Sequence, residues 1–335
     1  MATALQQRLL HMSAAGIESP QDVADLCAAD WARLLVMAQR HRLGPLLYWR
    51  LGDDPLAKGV PKPFAEALAA NFEKHARRSV ELQAEVSRIQ RIMRENEIPA
   101  VFLRGAFLAF HCYRQPGLRP LRDLDVLVPA EQVAEAAHAL RNSILRRPGR
   151  PADQPTPRID IEFHTRLTDQ ARRYDPAFDA GTWNRLISRV VAEEEIWYLS
   201  PADQLLHLIL NALRDDPRNC HPLVLTDIAQ LLEQSGVNWV QFWQMALAGN
   251  WVSGCWLMLN LARQFYPSTS FQLPEGVELA ALPTDLTAVA ATLTLGEPQE
   301  RLDLARELKL QVRTGPLQFV RELLGQRRRV AEVLS

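Results

Sequence analysis

Asp123 and Asp125 head a short apolar run, Val126-Leu127-Val128, and Asp160 and Glu162 repeat the same two-residue spacing in "IDIEFHTRL". Side chains two apart on a strand leave the same face, so each pair of carboxylates points one way. If the two strands are neighbours, three or four carboxylates converge. Such a group repels itself and is destabilising unless cations neutralise it. An oxygen-only set with no demand for His or Cys suits a hard ion, chiefly Mg²⁺, with Mn²⁺ as the alternative. Two such ions roughly 3.5–4 Å apart would stabilise the attacking and leaving oxygens of an in-line phosphoryl displacement.

The neighbouring residues supply the opposite charge. Arg104, Arg114, Arg119 and Arg122 fall between Val101 and Arg122, a stretch with no acid, and Arg146, Arg147, Arg150 and Arg158 follow against Asp153. The guanidinium fork matches phosphate oxygens. Leu103-Arg104-Gly105-Ala106 reads as a strand-to-helix turn opened by Gly105, which can bring backbone N–H groups to a phosphate. His164, two after Glu162, shares its face and reads as a structural histidine hydrogen-bonded near the carboxylates. Asp160 reads as a rim charge or a partner for Arg158. His207, Asn211 and Asp227 read equally as polar contacts between core helices or as substrate contacts. Cys220-His221 has no second Cys/His pair at metal-ligand spacing, and Arg327, Arg328 and Arg329 read as a solvated helix face.

The elements that must position these groups follow from periodicity. Residues 1–95 read as helices. "DVADLCAADWARLLVMAQRHRLGPLLYWRL" has three- and four-residue apolar spacing broken at Gly44-Pro45, and a long amphipathic helix runs from Pro63 to Asn96. Strands are expected at "IPAVFLRG", "DLDVLVP", "IDIEFHTRL" and "SRVVAEEEIWYLS", with helices at "AFLAFHCY" and "AEQVAEAAHALRNSI". From Ser200 the helical period returns in "PADQLLHLILNAL", with Ser200 and Asp203 at its start, then in "PLVLTDIAQLLEQS", "NWVQFWQMALAG", "WVSGCWLMLNLARQFY" and "GPLQFVRELLGQRRRVAEVL". The tryptophans there sit at helical spacing and read as core. Three regions are expected: an N-terminal helical region (1–95), an α/β core (96–200) and a C-terminal helical region (201–335). The fold class is α+β, a small mixed sheet flanked by helices and helix-rich overall.

The stretch "FLRGAFLAFHCYRQPGLRPLRDLDVLV" followed by "IEFHTRL" resembles the uncharacterised nucleotidyltransferase family within the DNA polymerase β-like nucleotidyltransferase superfamily. The likeness extends from about residue 98 to about 265, with its specific motifs between 103 and 167. It implies a nucleotidyltransferase-type sheet, Asp123, Asp125 and Glu162 as metal ligands, and Gly105 as the nucleotide-phosphate turn. It also places Arg119 on the Arg of a G-x-R phosphate-contact element. Two positions depart from the family pattern: Arg104 stands where Lys is usual, and Arg122 where a small or polar residue is usual. Both are read as further nucleotide contacts, with altered chemistry as the alternative for Arg122. The segment 146–157 is shortened and proline-rich.

These features together imply a Mg²⁺-dependent transfer of a nucleoside monophosphate from an NTP, ATP among them, to an acceptor. The alternatives are a transferase using a nucleotide-sugar donor at the same site, or a non-catalytic nucleotide-binding protein. The net charge of −1 in 335 residues, with 23% charged residues, argues against whole-surface capture of nucleic acid or an anionic membrane. A small molecule, sugar, peptide or protein is therefore the expected acceptor. Cys27, Cys112, Cys220 and Cys255 are scattered and read as reduced thiols. With no apolar run approaching 18 residues and no signal-type leader, a cytoplasmic protein is expected.

Overall fold

The computed structural model describes residues 4–17, 19, 21–52, 59–145, 159–167, 181–212, 222–249 and 251–273. The chain divides into two compact units, residues 73–207 and residues 1–72 with those from 208 onward. The elements in chain order are α1 (Ala4–Ala15), α2 (Gln21–Ala24), α3 (Ala28–Arg40), α4 (Gly44–Gly52), α5 (Lys62–Glu95), β1 (Val101–Phe102), α6 (Gly105–Phe107), β2 (Asp123–Leu127), α7 (Val133–Leu145), β3 (Asp160–His164), β4 (Ile187–Val191), β5 (Glu194–Tyr198), α8 (Pro201–Ala212), α9 (Leu223–Gln234), α10 (Trp239–Ala248) and α11 (Val252–Phe265). The fold class is α+β.

The 73–207 unit is built on one five-stranded mixed sheet, in the order β3-β2-β1-β5-β4. β1 runs antiparallel to β2 and parallel to β5, and β2 runs parallel to β3. The two-residue period expected of β2 is visible as burial: Leu124 and Val126 are buried on one face, while Asp123 is exposed and Asp125 half-buried on the other. The C-terminal half of α5 buries Leu82, Val86, Ile89 and Met93, a stripe at three- and four-residue spacing. It is fastened to the β4–β5 hairpin by Ser87 Oγ, which donates to the Val191 carbonyl at 2.7 Å, and by Arg91 and Arg94, which grip Glu194 at 2.8 and 2.7 Å.

The other unit packs its N-terminal helices around Leu9, Leu10, Trp31, Leu34, Leu47, Phe64 and Leu68, joined by Leu223 of α9. Trp31 meets Phe64 edge-on at 4.8 Å. On the C-terminal side Trp243 Nε1 donates to the Gln272 carbonyl at 2.7 Å, and the Thr226 and Tyr266 hydroxyls bond each other. No helix among the described residues is long and apolar enough to cross a membrane.

Three expectations change. "SRVVAEEEIWYLS" is not one strand but two, turned at Ala192 (φ 44°) and Glu193 (φ 72°), a tight reversal carried by two non-glycine residues at positive φ. Gly44-Pro45 does not break a helix but opens α4; the break is at His41–Leu43, with Arg42 at φ 60°. Proline suits the first helical turn, where its missing N–H costs nothing. The helix after β1 runs α-helically only over Gly105–Phe107 and then as a π-helix over Leu108–Cys112. The proline- and arginine-rich loop, Cys220-His221 and the helix expected at "GPLQFVRELLGQRRRVAEVL" lie outside the described residues.

Candidate metal centre

The parallel pairing of β2 with β3 sets Asp123 opposite Asp160, Asp125 opposite Glu162 and Leu127 opposite His164. Because side chains alternate, Asp123, Asp125, Asp160, Glu162 and His164 share one face of two adjacent strands. The convergence expected from the D-x-D and D-x-E spacings is thus a matter of register.

Within that face the tightest group is Asp125, Glu162 and His164, whose ligand atoms lie within 4.8 Å of one another. His164 Nε2 donates to Asp125 Oδ1 at 2.7 Å and stands 4.0 Å from Glu162 Oε2. The histidine expected to hydrogen-bond near the site does so, on Asp125. Two carboxylates and an imidazole fit a divalent cation, and the nitrogen donor widens the choice from Mg²⁺ toward Mn²⁺ and its neighbours. Asp123, expected in the oxygen set, lies outside this group. It is exposed, one pleat (about 7 Å of strand rise) toward the strand's open end, facing the exposed Asp160.

Asp125 is the best enclosed of these carboxylates. Burial on its own would raise its pKa, but the His164 hydrogen bond and the charges of Arg104, His164 and His207 outweigh burial and hold the group well below the usual carboxylate range. Arg104 Nη2 donates to Asp125 Oδ2 at 2.9 Å. With φ 31°, Arg104 occupies a conformation that a non-glycine residue adopts rarely, at a cost of order 1–3 kcal/mol. The unusual backbone therefore sits on Arg104, one residue before Gly105. Gly105 is needed for room: a Cβ there would lie 2.8 Å from Leu121 Cδ2 and 3.2 Å from Arg119 Nη1.

Arg119 is buried, and its Nη1 is 3.5 Å from the Gly105 carbonyl, so it lies against the turn. Gly117, the glycine of the G-x-R element, sets its loop there. Its φ is +92°, and a Cβ would come within 2.5 Å of the Ala76 backbone of α5. Arg122 is exposed beside Asp123. The structure thus brings Arg104, Gly105 and Arg119 together at one turn, joined to Asp125 through Arg104. Asp123 and Arg122 share the outer end of β2.

One contributor had no motif. Arg185, just before β4, donates from Nε and Nη2 to both oxygens of the fully buried Asp203, at 3.0 and 2.7 Å. Ser200 caps the same helix, its Oγ accepting from the Asp203 N–H at 3.2 Å. This pair fastens the first turn of α8, which carries His207 one turn further on, and His207 is the helical residue whose charge reaches Asp125. The Ser200/Asp203 spacing marks the helix start in the sequence; nothing in it marks Arg185 as the partner.

An α+β unit with acidic residues in register on parallel strands, beside an arginine-bearing strand-to-helix turn, defines a nucleotidyltransferase-type core. Residues 28–267 match the family described as uncharacterised nucleotidyltransferase, and the chain belongs to that family. No curated protein and no solved structure matches the chain.

Proposed function

We propose that the protein is a Mg²⁺-dependent nucleotidyltransferase that moves a nucleoside monophosphate from an NTP to a small-molecule, sugar, peptide or protein acceptor. The observation that carries this is the pairing of Asp125 with Glu162 across parallel strands, one residue column from Asp123 and in contact with Arg104. Asp125 and Glu162, with Asp123 at the outer end of β2, hold the ion, and His164 orients Asp125 or joins the ligand set. When bound, the ion neutralises charge on the triphosphate oxygens, the main requirement of phosphoryl transfer. Arg119, Arg104 and the Gly105 turn receive the phosphates, and the exposed Arg122 adds a donor on the open side. The acceptor oxygen bonds to the α-phosphorus as the bond to pyrophosphate breaks.

The near-neutral chain favours an acceptor other than a long polynucleotide. A cytoplasmic location is part of the same proposal, supported by the free thiols of Cys27, Cys112 and Cys255. The test is incubation of wild type and Asp125→Asn with Mg²⁺, each NTP, each of several nucleotide sugars and a cell extract as acceptor source, read by mass spectrometry. Added nucleoside-monophosphate mass with pyrophosphate release, lost in the variant, supports the proposal. Added sugar mass assigns the protein to glycosyl transfer instead, and no added mass from any donor counts against transfer altogether.

A further inference from the structure

Both oxygens of Asp125 are engaged by donors of the protein itself, Oδ1 by His164 and Oδ2 by Arg104. A divalent cation at the Asp125/Glu162/His164 group therefore meets a guanidinium already on its ligand. Two cations close to one carboxylate oxygen repel each other, and the better-solvated arrangement separates them. Arg104 also has unused capacity. Its side chain is 15% exposed, yet its Nε is buried with no hydrogen-bond partner. A planar guanidinium offers five donors and suits phosphate oxygens two at a time. A buried donor with no acceptor is costly where it stands and finds its partner in an anionic ligand. Arg104 sits at φ 31° in the turn, next to Gly105, where the backbone approaches Leu121 and Arg119 more closely than a side chain would allow.

We propose that Arg104 is an exchangeable counter-ion: it neutralises Asp125 in the metal-free protein and transfers to the phosphates of a nucleoside triphosphate when a divalent cation takes its place. The inference rests on the nucleotidyltransferase reading and adds to it an order of events. Metal alone binds against Arg104, whereas metal and triphosphate together bind with it, because the triphosphate gives the displaced guanidinium somewhere to go. Metal and nucleotide are then positively coupled through one side chain. An arginine suits this exchange, since its fork can hold a carboxylate or a phosphate with the same pair of donors.

Mn²⁺ binding, followed by electron paramagnetic resonance, and binding of the α,β-methylene analogues of the NTPs, followed by calorimetry, test this in the full chain with no turnover required. Arg104→Gln is expected to bind Mn²⁺ alone roughly tenfold tighter, having lost a competing charge, and the analogue in the presence of Mn²⁺ roughly tenfold weaker. The opposite signs are the signature of exchange. Arg104→Lys retains a charge without the fork and should shift both affinities in the same directions by less; it decides the matter if Arg104→Gln fails a circular-dichroism check of folding. Unchanged or weaker Mn²⁺ binding in a folded variant overturns the exchange while leaving the metal site standing. If the wild type takes up neither Mn²⁺ nor any analogue, the nucleotidyltransferase reading fails first and the exchange with it.

Discussion

Two carboxylates of the sheet unit are held in nearly the same way in different surroundings. Asp125 accepts from Arg104 at 2.9 Å and His164 at 2.7 Å; Glu194 accepts from Arg91 at 2.8 Å and Arg94 at 2.7 Å. Each side chain is 11% exposed. Each carboxyl is held low, Glu194 by the hydrogen bonds from Arg91 and Arg94. Ion-pair geometry alone does not separate a site from a brace; the surroundings do. Glu194 is one acid against two guanidiniums on regular helix, and its charge is settled. Asp125 shares its face with Asp123, Asp160 and Glu162, and its arginine is held on strained backbone. Surplus negative charge that the protein leaves unneutralised is what calls for a cation.

That contrast can be broken at either end. Asp125→Asn is expected to lower nucleotidyl transfer by at least roughly 10³-fold, the scale of losing a group that acts in the transition state. Glu194→Gln should leave the transfer rate of the folded protein unchanged and lower only its melting temperature. Steady-state rates on both variants check this, and equal losses would erase the distinction. A smaller effect is expected at the second brace. Arg185→Ala removes both guanidinium hydrogen bonds from the fully buried Asp203 and should cost about 3 kcal/mol of unfolding free energy, measured in urea.

The smallest of the three concerns pH. His111, in the π-helical turn behind Arg104, is packed against Phe107 at 5.5 Å and Tyr198 at 5.1 Å, and its Nε2 is buried without a partner. Burial, helped by the charge of Arg189, lowers its pKa from 6.5 to about 4. The unfolded chain takes up this proton near 6.5 and the folded protein only near 4. Stability is therefore full above 6.5 and declines as pH falls toward 4. After allowance for solvent screening the loss is up to about 2 kcal/mol. His111→Phe should flatten that part of the stability curve, and a curve of unchanged slope would show that His111 does not carry it.

What was legible in the sequence had a short period or a local partner. Asp123, Asp125, Asp160 and Glu162 could be assigned to shared faces because strand side chains alternate, and His164 followed by the same rule. The helices among the described residues of both ends were legible from three- and four-residue spacing. Features set by backbone conformation or distant partners were not. Ala192 and Glu193 make a hairpin turn without Gly or Asn, so no turn residue announces it. Arg104, whose guanidinium bonds Asp125, takes a positive φ that nothing in its sequence context announces. Arg185 finds Asp203 eighteen positions away with no periodic signal between them. The choice among the acids depended on depth: Asp125 is enclosed and Asp123 is not, and alternation alone treats them alike.

The central claim is that this acidic face binds metal and nucleotide together. Isothermal titration of each NTP into the protein with Mg²⁺ present, comparing wild type with the Asp123→Ala/Asp125→Ala double variant, tests it most directly. At least one NTP should bind the wild type only when Mg²⁺ is present, and the double variant should bind none. Nucleotide binding that ignores both Mg²⁺ and the double substitution would contradict the account.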